Sequence, residues 1–127
     1  NEYRTGDWQG YYATPFEATI DLGKSRTITS MSLGCIQDIR PWIWLPENVE
    51  FYTSSDGINF ELLEKVTHEV KEDDYEKQVH RFESTSMISN IRYVRVKANP
   101  RGVIPDWHLG AGFDRWTFVD EWEITYK

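Results

Sequence analysis

At 127 residues and a net charge of −7, the chain has the length of one domain and lacks the basic stripe that nucleic acid or an anionic membrane surface attracts. No apolar run approaches the roughly 18–20 residues of a membrane-crossing helix and no charged-then-apolar leader is seen, so a soluble chain is expected. The lone cysteine, Cys35, excludes an intrachain disulfide, a redox pair and a thiolate zinc cluster. Because the sequence opens on Asn1 and closes on the strand-like stretch Trp122 to Tyr126, it is expected to be a piece of a longer protein.

In chain order, apolar residues recur at every second position: Phe16, Ala18, Ile20 and Leu22, then Met31, Leu33 and Cys35, then Val49 and Phe51. The same period returns at Val94, Val96 and Ala98, and in Trp122, Ile124 and Tyr126 of the closing stretch, which also holds Phe118. That is the strand period, and no segment sustains a capped 3.6-residue stripe. Turn signals punctuate the runs: Leu22-Gly23-Lys24, Ser55-Asp56-Gly57-Ile58-Asn59 and Asn99-Pro100-Arg101-Gly102. Asp56-Gly57 is the expected tip of a hairpin, because glycine accepts positive φ. Cys35 falls in the apolar phase and is expected to be a buried, inert thiol. The charged run from His68 to Lys77 is expected to be a solvated connection without function. Several short strands and little helix give an all-β sandwich.

Four of the six tryptophans, Trp42, Trp44, Trp107 and Trp116, lie in turn-rich segments, residues 37–46 and 99–116, and not in the alternating runs. Long ordered loops in compact domains usually carry function. In the first, Pro41 and Pro46 bracket the rings and reduce the backbone freedom that binding would have to remove. In the second, Asp106, His108 and Arg115 accompany Trp107 and Trp116. A sugar presents an apolar C–H face and a rim of hydroxyls, so its site needs an aromatic platform beside planar or charged hydrogen-bonding groups. The candidate carbohydrate-binding residues are Asp38, Trp42, Trp44, Asp106, Trp107, His108, Arg115 and Trp116. Set against this, the tryptophans could plug the open end of the sandwich, His108 could be a satisfied loop histidine, and Arg115 a surface ion pair with Asp114 or Asp106. Trp42 and Trp44 share parity, and at least one is expected to pack inward while Trp116 begins the last strand.

The stretches Phe16-Glu17-Ala18-Thr19-Ile20-Asp21-Leu22-Gly23, Trp42-Ile43-Trp44-Leu45-Pro46 and Val49-Glu50-Phe51-Tyr52-Thr53-Ser54-Ser55-Asp56-Gly57 resemble a discoidin domain. So do Ile91-Arg92-Tyr93-Val94-Arg95-Val96 and the closing Val119-Asp120-Glu121-Trp122-Glu123-Ile124. This family is also called coagulation factor 5/8 type C and includes carbohydrate-binding module family 32. With Pro105-Asp106-Trp107-His108 and Gly110-Ala111-Gly112, the chain is similar to the module appended to bacterial family 20 β-hexosaminidases, the chitobiases. The resemblance implies one eight-stranded jelly-roll β-sandwich over residues 1–127, with loops at one end binding an N-acetylhexosamine or galactose type of glycan, and a catalytic domain in the same polypeptide. It implies an extracellular, cell-surface or periplasmic setting in a bacterium. It also implies a structural Ca²⁺, for which Glu121 matches the family's final-strand glutamate and Thr5, Asp7 and backbone oxygens of residues 1–6 are the candidate partners, although the pattern around Thr5-Gly6-Asp7-Trp8 departs from the family's. Members that bind phosphatidylserine use apolar spikes with basic support, which this acidic chain lacks.

Two other function classes compete with glycan binding. Aromatic loops with arginine also describe an interdomain or protein-interaction surface. A glycosidase would need two carboxyls about 5–9.5 Å apart, drawn from Asp38, Glu47, Asp106 and Asp114, and nothing in the sequence fixes that spacing, so no catalytic residue is assigned.

Overall fold

The computed structural model describes residues 2–5, 9–12, 15–39, 43–71, 73–100, 107–108 and 116–127, with backbone alone at 2–5, 9–12, 116 and 120. The strands are β1 (Glu2–Thr5), β2 (Gln9–Tyr12), β3 (Phe16–Gln37), β4 (Asn48–Ser54), β5 (Glu61–Thr67), β6 (Gln78–Ser84), β7 (Ile88–Asn99) and β8 (Trp116–Tyr126). Every pairing among them is antiparallel, and the described residues contain no helix.

The long β3 organises the molecule. Its first arm pairs with β7, from Phe16 opposite Ala98 to Asp21 opposite Tyr93. Its second arm, from Ile28 onward, pairs with β8 on one side, and from Met31 onward with β6 on the other. Between the arms the register shifts, at a corner built on Gly23 with φ +88°, where the Gly23 N–H donates to Asp21 Oδ1 at 2.8 Å. Glycine adopts this left-handed backbone without a Cβ penalty. The turn expected at Leu22-Gly23-Lys24 is therefore a corner inside one continuous strand and not a break between two.

One arm thus belongs with β7, β4 and β5, the other with β6, β8, β1 and β2, and the sheet curls around a shared core. Val49, Phe51, Val94, Val96 and Ala98 from one half meet Leu33, Cys35, Phe82, Trp122 and Ile124 from the other in a single buried cluster. Each large apolar side chain so enclosed contributes about 1.5–3 kcal/mol. Cys35 is fully buried, as its phase predicts.

The β4–β5 hairpin forms at the expected tip. Gly57 has φ +79°, and the Asp56 carboxylate accepts the N–H groups of Ile58 and Asn59 at 2.8 and 2.9 Å. These bonds hold the Asp56 carboxyl far below the usual carboxylate range. β6 has no counterpart in the hydrophobic pattern, since its Val79 is exposed and Phe82 is its one large buried apolar residue.

Candidate functional site

Strand register gathers the long connections at one end. Gln37 pairs with Gln78, Ile36 with Phe118, and Asn48 with both Asn99 and Thr67, so the ends of β3, β5 and β7 and the starts of β4, β6 and β8 all lie at that end. The opposite end carries the tight β4–β5 and β6–β7 turns.

In the first connection, Asp38 and Ile43 close a short antiparallel bridge, each N–H donating to the other's carbonyl at 2.9 and 3.0 Å. Beneath it, Ile39 and Trp44 form a small satellite core. His108 braces this from the third connection: its Nε2 carries the proton donated to the Ile39 carbonyl at 2.9 Å, because a carbonyl can only accept. The His108 ring stands edge-on to Trp44 with centroids 5.2 Å apart, and Trp107 does the same at 6.4 Å. Such edge contacts contribute about 0.5–1.5 kcal/mol each beyond burial.

The second connection is tied in by Gln37. This residue occupies the apolar phase after Met31, Leu33 and Cys35, and it is 1% exposed. Its Nε2 donates to the carbonyls of Lys71 at 3.0 Å and Asp74 at 3.1 Å, while its Oε1 accepts the Leu45 N–H at 3.5 Å. The Glu76 N–H then donates to Asp74 Oδ1, fixing the turn that presents Tyr75. The Tyr75 ring lies 5.7 Å from Trp107, with 60° between the planes. The run from His68 to Lys77, expected to be a solvated connection without function, thus brings Tyr75 against Trp107 at the loop end.

Exposure separates the rings. Trp107 is 46% exposed and Tyr75 39%, whereas Trp44 is 1% and His108 8%. Trp44 and His108, both named as candidate ligand contacts, are closed to solvent and serve as supports, in line with the alternatives of an inward-packed tryptophan and a satisfied loop histidine. Asp38 is half-buried and lines an open pocket of about 260 Å³ with Ile36, Ile43, Lys77 and Phe118. Its carboxylate and the Lys77 ammonium place opposite charges against an otherwise apolar lining.

The remaining expected residues are partly out of view. Trp42, Asp106, Arg115 and Asp7 lie outside the described residues, and Trp116 opens β8 with its side chain likewise outside them. Of the expected metal donors, Thr5 faces Trp122 across β1 and β8, one position from Glu121. The Glu121 carbonyl accepts a hydrogen bond from Arg81 Nη2 at 3.1 Å. Among the described residues no group of three or more His, Cys, Asp or Glu side chains gathers to hold a metal. Sequence reasoning missed Gln37, Tyr75 and Lys77. A polar residue in the core phase and a lone ring in a charged run were the available signals for the first two.

No family model matches the chain, and neither does any curated protein. Among solved structures, it is similar to the C-terminal domain of a chitobiase from Bacteroides fragilis, with 20% identity, 90% of this chain and 64% of that chain covered, and a TM-score of 0.45. The chain therefore spans less than two thirds of that chain's length.

Proposed function

We propose that this is a non-catalytic carbohydrate-binding module of the discoidin type, a jelly roll that targets an appended β-hexosaminidase-like glycoside hydrolase to glycans outside the cytoplasm. The observation that carries the reading is Trp107: an exposed indole on a loop locked from behind by Trp44, His108 and the Ile39 carbonyl. A ring held in place before ligand arrives loses little freedom on stacking against a sugar face. Asp38 and Lys77 supply charged partners for hydroxyl or acetamido groups at the same end, with Trp42, Asp106, Arg115 and Trp116 as further contacts of the resemblance. The acidic chain still gives no reason to expect nucleic acid or anionic membrane as a partner.

Shallow single-sugar sites of this kind give dissociation constants of roughly 0.1–10 mM, about −3 to −5.5 kcal/mol. Tethering offsets the weakness, since a linked catalytic domain meets its substrate at raised local concentration. The test is calorimetric titration with N-acetylglucosamine, N-acetylgalactosamine and galactose, each with calcium and with a chelator. At least one sugar is expected to bind, and Trp107→Ala to abolish binding while circular dichroism shows the fold retained, at a melting temperature lowered by the lost ring contacts. Unaltered binding by that variant overturns the reading. Failure of every sugar to bind overturns it in favour of an interdomain surface that covers the same rings. If a structural Ca²⁺ is held near Glu121, with Thr5 and Asp7, the chelator lowers the melting temperature of the parent domain and not that of Glu121→Gln.

A further inference from the structure

We propose that Tyr75 and Trp107 act as one two-ring platform that takes two consecutive sugar units of a glycan chain. This rests on the glycan-binding reading above and adds a residue and a ligand length to it. The rings come from different connections, both are exposed, and their centroids are 5.7 Å apart at 60°. Rings in edge contact leave no gap for a sugar to enter between them, so each can offer only an outer face. With 60° between their planes the two outer faces turn away from each other, so they suit neighbouring units of a chain that twists from one unit to the next.

Tyr75 is also held without ligand. Gln37 grips the backbone on its N-terminal side through Lys71 and Asp74, and the Asp74 N–H donates to the Lys71 carbonyl at 3.2 Å. A ring whose backbone is fixed at the surface suits recognition better than a solvated connection requires.

The competing role for Tyr75 is a side wall that merely steadies Trp107, and ligand length separates the two. N-acetylglucosamine, N-acetylgalactosamine and galactose are each titrated as the free sugar and as a disaccharide and a tetrasaccharide ending in it. The disaccharide of the binding sugar is expected to bind roughly tenfold tighter than the free sugar, the scale of one added aromatic contact, with little more from the tetrasaccharide. Tyr75→Ala is expected to lose that gain and keep the free-sugar affinity within about twofold. Tyr75→Leu, which keeps bulk without a ring, is measured beside it, and circular dichroism checks that each variant is folded. No length gain in the parent domain, or a gain that survives both substitutions, overturns the two-ring platform and leaves the single-sugar reading standing. Loss of free-sugar affinity in both variants makes Tyr75 a side wall and also overturns it. If no sugar binds, or Trp107→Ala changes nothing, the glycan reading itself fails and the platform with it.

Discussion

Two glycines with nearly the same backbone conformation should respond differently to the same substitution. Gly23 at φ +88° has open space where a Cβ would sit, so Gly23→Ala carries only the left-handed strain, about 1 kcal/mol. At Gly57, φ +79°, a Cβ would lie 3.0 Å from carbons of the Tyr93 ring, and Gly57→Ala should cost roughly 2–3 kcal/mol. Urea denaturation of the two variants measures the gap, and equal losses would remove Tyr93 from the explanation. Single residues were legible in the sequence where their phase or local chemistry decided their fate. Cys35 and Gly57 are such cases, and the shared parity of Trp42 and Trp44 anticipated an inward ring. For His108 the satisfied role was among the readings but its partner was not legible, because that partner is a backbone carbonyl at Ile39, in a connection far along the chain.

Strands were legible where they alternate and bury one face, as in β4, β7 and β8. β6 was not, because Arg81 and Glu83 flank a single buried ring and give the period nothing to repeat. Nor was the second connection, whose structure is imposed from outside by Gln37. Replacing that side chain by the similarly sized leucine leaves the Lys71 and Asp74 carbonyls and the Leu45 N–H without it. Gln37→Leu should therefore destabilise the domain by roughly 1–3 kcal/mol. Hydrogen exchange should show faster exchange at the Leu45 amide in that variant, with the core amides of β7 less affected. Exchange at Leu45 equal to that of the parent domain would mean that the connection holds itself.

For the molecule as a whole, acid should act in two separate windows. Burial holds the His80 imidazole below its ordinary pKa of 6.5, so the unfolded chain binds this proton more readily than the folded one. Stability from His80 is then complete above that value and is lost as pH falls below it. The Asp21 carboxyl is also held low, chiefly by its hydrogen bond from Arg92, but its ordinary value is 3.8, so its contribution is lost only in stronger acid. Melting temperature should decline as pH falls below about 6.5 and decline less in His80→Gln. Identical slopes for the two proteins would assign the decline to other groups.

The two-armed course of β3 also has a consequence for synthesis. Phe16 to Asp21 and Ile28 to Ile36 leave the ribosome well before their partners in β7 and β8. Until β8 follows, the second arm with Met31, Leu33 and Cys35 can pair on one side only, with β6, and a long unpaired edge beside an apolar face is the kind of surface that chaperones capture. The strand that later joins both halves of the molecule is thus the part of the nascent chain most in need of protection.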